Sequence, residues 1–248
     1  MKMIHRSILG FITIIILCVI SYGILSALSK PIVLHTFFKT QSNENNIKII
    51  ANKGGSKSWP ENTMYGFEKV QELSIDSISL DVRLSQNNVL VAIHDKKVDR
   101  TTNGKGIVRQ FNLDELQNLD AGHNWTTDDV IYKYRDLGIT IPTLTEVFTN
   151  LPDLRKYINI TEDNIIASDI LCIKIHEYNT IDSVLVSAKY TEVIKYFRQI
   201  CPEVATAADL YETTIFLALN AMFLSPIHNP NFQLLRVVLF VGLLVALV

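Results

Sequence analysis

The chain has 248 residues, enough for one large domain or two small ones with an ample core. Its formal net charge of −2 and the lack of a basic stripe in its sequence exclude a protein that binds nucleic acid through its charge. Its three cysteines have no zinc-type spacing, so they predict neither a metal site nor a redox compartment.

The first predicted element is a membrane-spanning helix. The run from Ser7 to Leu28 is uncharged and largely apolar, and a bilayer is crossed by about 20 such residues. Lys2 and Arg6 precede it, so the positive-inside tendency predicts a cytoplasmic N-terminus and a domain on the periplasmic, extracellular or lumenal side. The alternative is a cleaved signal peptide, whose apolar segment typically has roughly 7–15 residues.

Short apolar strands alternate with amphipathic helices in the next part of the chain. The predicted strands are Ile47–Ala51, Ser77–Val82, Val89–Ile93, Tyr157–Ile160, Ser183–Ser187 and Val204–Ala207. The first predicted helix starts at Asn62 or Thr63. The others are Asp114–Leu119, Thr143–Leu151, Glu192–Cys201 and Asp209–Phe223. This alternation predicts βαβ units and a parallel sheet, but about six strands do not by themselves distinguish a barrel from an open sheet.

The chain ends in an apolar tail. Val237–Val248 carries no charge, yet it is shorter than the roughly 17 residues that a membrane span needs. A buried strand or helix and a membrane-associated tail are both open. The predicted domains are residues 1–30 as membrane anchor, 31–46 as linker, 47–233 as the folded domain and 234–248 as the tail.

Polar residues follow four successive predicted strands. Parallel α/β folds carry their chemistry at the carboxyl ends of strands. Asn52-Lys53, Asp81, His94-Asp95 and Thr161-Glu162 occupy those places. The sequence therefore predicts one polar site at this edge of the sheet.

The same residues belong to an ordered string of motifs. It reads Asn52-Lys53-Gly54, Pro60-Glu61-Asn62-Thr63, Ser79-Leu80-Asp81-Val82, His94-Asp95, Arg100-Thr101-Thr102-Asn103-Gly104, Leu119–Gly122 and Ile141–Leu144. In order and spacing the string resembles the glycerophosphodiester phosphodiesterase family. The resemblance implies a (β/α)8 TIM-barrel fold, two catalytic histidines, and a Ca²⁺ or Mg²⁺ ion held by two glutamates and an aspartate.

Carried over one position at a time, the resemblance makes His94 a catalytic histidine and Asp81 a metal ligand. Asn52 stands at the other histidine position and Lys53 at an arginine position. The two glutamate positions are filled by polar residues of another kind, Ser79 and Thr161, with Glu162 as a possible substitute ligand.

These substitutions predict a weakened enzyme. An amide does not exchange protons at neutral pH, and a single carboxylate makes a poor site for a hard cation. The resemblance implies a membrane-anchored phosphodiesterase of lipid metabolism that hydrolyses glycerophosphodiesters or lysophospholipids to an alcohol and a glycerol phosphate, here with impaired activity. The alternatives are an inactive membrane-bound pseudoenzyme that acts as a binding module, and the product of a decayed gene.

Several of these residues and motifs have a second interpretation. Without the resemblance, His94 reads as a buried or capping histidine, and Lys53 as a solvated charge instead of a phosphate contact. Pro60–Thr63 is typical of a helix start, and Arg100–Gly104 of a turn in which Asn103-Gly104 supplies positive φ.

The barrel itself is expected to be incomplete, with about six of eight strands before Phe223. An incomplete barrel leaves sheet edges unpaired. Val237–Leu247 or a second subunit would then cover the gap, unless the product is a truncated relic.

Overall fold

The computed structural model describes residues 2–28, 35–39, 49–222, 224, 230–232, 234–239 and 242–247. Its helices are α1 Lys2–Leu28, α2 Met64–Glu72, α3 Leu113–Gln117, α4 Leu144–Asn150, α5 Ile166–Glu177, α6 Thr191–Ile200 and α7 Leu210–Ala221. Its strands are β1 Ile50–Ala51, β2 Ser77–Leu84, β3 Leu90–Ala92, β4 Arg155–Ile160, β5 Val184–Ala188, β6 Ala205–Thr206, β7 Leu234–Leu239 and β8 Gly242–Leu247. Residues 47–48 of the first predicted strand and Phe223 lie outside the described residues.

The main sheet has six strands, in the order β1-β2-β4-β5-β6 with β3 beside β2. Neighbours along that path run parallel, as the βαβ pattern predicts. The outer face of the sheet packs against the helices through a large apolar cluster that includes Leu80, Ile158 and Val186. A six-stranded curved sheet of this kind is the TIM-barrel type that was expected.

β3 differs from its prediction. It pairs antiparallel with β2, with Ala92 opposite Val82 and Leu90 opposite Leu84. The connection from β2 is short and turns at Asn88, whose φ is 60°. Such a loop makes a hairpin, whereas a parallel neighbour needs a long crossover. His94 is therefore carried back alongside β2, so the prediction of four parallel strand ends was wrong at this strand.

α5 was absent from the sequence prediction. Its Ala167, Leu171 and Ile175 are buried, but the helix also carries exposed Ile166 and Ile173. Apolar residues around much of its circumference leave no clear stripe of period 3.6, and periodicity is the signal that identifies a helix.

Residues 35–39 pack against the amino ends of the strands, although they fall within the predicted linker 31–46. Phe37 is buried between Tyr157, Leu185 and Ala205, the first inward-facing residues of β4, β5 and β6. Arg155 donates a hydrogen bond to the Phe37 carbonyl over 2.8 Å. This short segment closes the bottom of the sheet's inner face; residues 31–34 and 40–46 lie outside the described part.

The tail forms an antiparallel hairpin of β7 and β8. Leu234 pairs in parallel with Ala207, and the Ala208 amide donates to the Leu234 carbonyl over 2.8 Å. The start of the tail thus lies beside β6, at the edge that was expected to need covering, and Leu234 and Leu235 are buried there.

One helix in the described residues is long and apolar enough to cross a membrane. It covers Ser7–Leu28, with a mean hydropathy of 2.7, and none of that stretch is buried in the protein. Length and composition alone support a membrane span here, and a signal sequence has the same properties.

Candidate active site

Polar side chains form a layer on the inner face of the sheet, above the apolar layer that Phe37 closes. In register, Asp81 of β2 lies opposite Asn159 of β4, and Asn159 lies opposite Ser187 of β5. Ser187 donates from Oγ to Asn159 Oδ1 over 3.0 Å. Since residues two apart on a strand share a face, Ser79 points inward on β2 below Asp81.

Asp81 is the centre of this layer. Asn159 Nδ2 donates to its Oδ1 over 2.8 Å, and Asn62 Nδ2 donates to its Oδ2 over 3.3 Å. Asn62 Oδ1 also accepts from the Asp81 amide over 3.0 Å. Lys53 Nζ lies 3.9 Å from Asp81 Oδ2. We call Asp81, Asn62, Asn159, Lys53 and Ser79 the Asp81 cluster.

Two members of the cluster have left-handed backbones. φ is 51° at Lys53 and 55° at Asn62, and neither is glycine. The two residues are joined by a hydrogen bond from the Asn62 amide to the Lys53 carbonyl, 2.9 Å long. Non-glycine residues in this region cost of order 1–3 kcal/mol and concentrate at functional sites. In this conformation both side chains reach Asp81.

Asn52 binds Ser79 and not Asp81. Ser79 Oγ lies 3.1 Å from Asn52 Oδ1 and accepts from the Lys53 amide over 3.0 Å. With Asn52 Oδ1 as acceptor, the Ser79 hydroxyl donates to it. The pair forms a neutral hydrogen-bonded contact where the resemblance implies a histidine and a glutamate.

His94 lies in a second group, next to the Asp81 cluster. Its Nδ1 is 2.8 Å from Asp95 Oδ1, and Asp95 Oδ2 accepts from Arg100 Nε over 2.5 Å. Arg100 also binds both oxygens of Glu61, over 2.6 and 3.0 Å. Glu61 Oε1 lies 3.3 Å from Lys53 Nζ, which joins the two groups. We call His94, Asp95, Arg100 and Glu61 the His94 chain.

Proton positions in the His94 chain follow from its charges. Burial raises the pKa of the Asp95 carboxyl, but hydrogen bonds from Arg100 and His94 bring it below its ordinary value. Burial likewise raises the pKa of Glu61, and Arg100 and Lys53 together bring it below its ordinary value. Both groups are therefore anions near neutral pH. An anionic Asp95 accepts from His94 Nδ1–H, which leaves Nε2 as the nitrogen that can exchange a proton.

A polar cleft of about 200 Å³ adjoins the His94 chain. Glu61, Arg100 and Thr101 line one part of it, and Asn124 and Trp125 another. The His94 side chain is 45% exposed, so the ring is reachable from solvent. His94 lines a separate, smaller recess, which shares Glu61 and Thr101 with the cleft.

Thr161 and Glu162 do not join the Asp81 cluster. Thr161 is buried and donates its hydroxyl to the Val82 carbonyl over 3.1 Å. Glu162 Oε2 instead accepts from Arg83, 3.3 Å away. The residue of β4 that lies opposite Asp81 is Asn159. Thr161, two positions further along, continues on the same face, and Glu162 binds Arg83 instead of Asp81.

The sequence prediction also missed Glu61, Asn62 and Arg100 as site residues. Thr63 does cap α2, since its hydroxyl accepts from the Gly66 amide over 3.2 Å, as a helix start requires. Glu61 and Asn62, immediately before it, face the site. In the segment predicted as a turn, positive φ occurs at Gly106 and at neither Asn103 nor Gly104, so that part of the prediction was wrong.

The Asp81 cluster does not fit the Ca²⁺ or Mg²⁺ ion that the resemblance implies. These ions take six or more oxygen ligands, usually with several carboxylates. Asp81 is the one carboxylate of the cluster, and amide N–H groups of Asn62 and Asn159 already occupy both of its oxygens. The Lys53 ammonium lies on the same side and would repel a cation.

The chain is similar in sequence to known proteins. At 40% identity over 145 residues, the chain is similar to a glycerophosphodiester phosphodiesterase of Caldanaerobacter subterraneus subsp. tengcongensis, covering 56% of this chain and 57% of the relative. Another, from Bacillus altitudinis, is 34% identical over 167 residues, covering 64% and 65%. The chain thus spans less than two thirds of each relative.

Solved structures give the same fold. The glycerophosphoryl diester phosphodiesterase domain of a Mycobacterium tuberculosis protein superposes with a TM-score of 0.67 at 20% identity, covering 82% of this chain and 79% of that one. An Oleispira antarctica phosphodiesterase, solved in complex with the product sn-glycerol-3-phosphate, gives a TM-score of 0.55 at 25% identity, covering 65% of each chain. The model of the Glycerophosphoryl diester phosphodiesterase family matches residues 53–222, more than half of the 248. The chain belongs to that family.

Proposed function

We propose that the chain binds glycerophosphodiesters in the cleft that Glu61 and Arg100 line and the adjoining recess that His94 lines, and that it hydrolyses them slowly, to an alcohol and a glycerol phosphate. Family membership and the product complex of the Oleispira relative support the substrate class. Slow turnover is inferred from the Asp81 cluster, in which both carboxylate oxygens accept hydrogen bonds from side-chain amides. Family members generally depend on a divalent cation, and the Asp81 cluster is a poor binding site for such an ion.

The chemistry left to the chain is proton transfer and anion binding. In hydrolysis, water adds to phosphorus, the bond from phosphorus to the alkoxy oxygen breaks, and a proton must reach that oxygen. His94 Nε2 is suited to supply this proton, since Asp95 holds the other ring nitrogen. Asn52 cannot act as the opposing base, because an amide does not take up a proton at neutral pH.

A second candidate is an inactive module that binds glycerophosphodiesters without hydrolysing them. The hydrogen bond between Ser79 and Asn52 favours it, because the same two positions hold catalytic and ligand groups in the family resemblance. The His94 chain and its cleft would remain a site for a phosphodiester.

The test is turnover of glycerophosphocholine and of a lysophospholipid by the full chain in detergent, with Ca²⁺, Mg²⁺ or Mn²⁺. Low activity that falls about 10²–10⁴-fold in His94→Ala supports the slow enzyme. His35→Asn, at the other end of the sheet, is the matched control and should keep its rate. Binding of glycerophosphocholine without turnover would support the inactive module, and neither binding nor turnover would contradict both.

For localisation we propose that α1 anchors the chain, with the domain outside the cytoplasm. The apolar stretch Ser7–Leu28 supports an anchor, and a disulfide between Cys172 and Cys201 supports an oxidising compartment. An alkaline phosphatase fusion after Leu28 should be active outside the cytoplasm. Release of the domain into the medium or periplasm by cleavage would contradict the anchor.

A further inference from the structure

A second cluster of potential metal ligands lies far from the cleft, where α5 meets the end of α6. Cys172 and His176 are one turn apart on α5, and Cys201 and Glu203 follow α6. Each residue offers a ligand atom, and these atoms lie within 4.8 Å of one another. The two cysteines are joined by a disulfide, with Cα atoms 6.0 Å apart.

The hydrogen bonds of His176 orient its ring for a ligand. Nδ1 lies 2.8 Å from the Cys172 carbonyl oxygen, and Nε2 lies 2.7 Å from Glu203 Oε1. Because a carbonyl only accepts, Nδ1 carries a proton and the ring is fixed. Metal-bound histidines typically hold their second nitrogen in this way. The contact between Nε2 and Oε1 holds a proton that a metal cation would replace.

We propose that reduction of the disulfide converts this cluster into a site for one borderline-soft divalent transition metal, of which Zn²⁺ is the type. The ligands are the thiolates of Cys172 and Cys201, His176 Nε2 and a Glu203 oxygen. Two thiolates, an imidazole and a carboxylate match the tetrahedral preference of Zn²⁺ and are a poor match for Ca²⁺ or Mg²⁺. The bound ion then links α5 to the end of α6 in place of the disulfide.

The conversion requires a two-electron reductant, such as a dithiol. The S–S bond breaks, each sulfur takes a proton, and the dithiol becomes a disulfide. Metal binding then releases the two thiol protons and the proton held between His176 and Glu203. Two thiolates on one Zn²⁺ lie about 3.8 Å apart. Rotation of the side chains reaches this separation, because the Cα atoms are already 6.0 Å apart. His176 is 49% exposed, so an ion enters from solvent.

The test uses the full chain with Cys18→Ser, which removes the remaining cysteine, reduced with a phosphine that becomes a phosphine oxide. Titration with Co²⁺ should give a thiolate-to-cobalt charge-transfer band that saturates at one equivalent and is lost on adding Zn²⁺. The disulfide form should give no such band. Zn²⁺ should also raise the Tm of the reduced protein.

Matched variants separate this site from adventitious binding. His176→Ala and Glu203→Gln should each weaken Co²⁺ binding by at least about tenfold, and Cys172→Ser with Cys201→Ser should abolish the band. His123→Ala, in a separate group with Asp120 and Asp136, should bind as the parent does. No band in the reduced chain, a band that survives loss of both cysteines, or a reduced chain that unfolds and is not restored by Zn²⁺ would overturn the proposal.

Discussion

Asn159 donates a hydrogen bond from Nδ2 to Asp81 Oδ1 over 2.8 Å, across neighbouring strands β4 and β2. An amide donor thus stands where a cation site would need an acceptor. The contact accounts for the predicted loss of cation affinity at the site, and it indicates which residue of β4 to change.

We expect Ser79→Glu combined with Asn159→Glu to raise the affinity for Ca²⁺ by an order of magnitude or more. The two changes add carboxylates on either side of Asp81, and affinity for this ion increases with the number of charged ligands. Calorimetric titration of both proteins measures the difference. Gln71→Glu, at an exposed position of α2, is the control and should not improve binding. If the wild type bound Ca²⁺ as tightly as the double variant does, the claim that its cation site is impaired would be contradicted.

Asp81→Ala should lower the free energy of unfolding by about 1–3 kcal/mol. It leaves the buried amide of Asn62 and the half-buried amide of Asn159 without their acceptor, and an unsatisfied buried donor costs about that much. Urea denaturation gives the change. Asp163→Ala, at an exposed position, should have little effect. If both variants were equally stable, the hydrogen bonds to Asp81 would carry no stability.

Lys156 predicts a pH dependence of stability. Its side chain is fully buried and donates to the Leu151 and Leu154 carbonyls, and burial lowers its pKa from 10.5 to about 8. Between these values the unfolded chain binds more protons than the folded one, so stability rises with pH. The rise amounts to roughly 3 kcal/mol across the window.

Denaturation of wild type and Lys156→Met from pH 7 to pH 10 measures this effect. The wild type should gain stability relative to the variant as pH rises. The variant loses its partners at both carbonyls, so the slope with pH is informative and the absolute stability is not. Parallel curves for the two proteins would rule out the titration of Lys156.

The Cys172–Cys201 bond closes a loop with a sequence separation of 29 residues. Removing it with Cys172→Ser and Cys201→Ser should lower the free energy of unfolding by about 3–4 kcal/mol, the chain-entropy value for such a loop. The measurement is urea unfolding in the presence of a chelator, with Cys18→Ser as control. A loss below about 1 kcal/mol would mean that the link does little for the fold.

The order of elements was predictable from sequence because each predicted strand carries its own local pattern. The site was only partly predictable. Asp81 and His94 were identified, but Thr161 was placed where Asn159 lies. The two residues are two positions apart and share the inward face, so the alternation around Ile158 and Ile160 does not decide which of them lies beside Asp81. The pairing of β4 with β2 decides it.

Contacts between residues that are distant in sequence could not be predicted from local sequence patterns either. The disulfide joins a residue of α5 to the residue that follows α6, and nothing in their spacing indicates that they meet. The antiparallel direction of β3 depends on its short connection to β2, where Asn87-Asn88 was the available signal. Arg100 reaches Glu61 across 39 positions of sequence, a contact that the turn-like motif around it hides.

Phe37 marks the end of the domain at which a tether from α1 attaches. Eight residues separate it from Leu28, the end of α1, and they span at most about 30 Å. Because Phe37 enters at the amino ends of the strands, the tether joins the domain at that end. The cleft at the opposite end then opens to the aqueous phase. If the chain is the membrane-anchored hydrolase that we propose, substrates reach this cleft most directly from the aqueous phase.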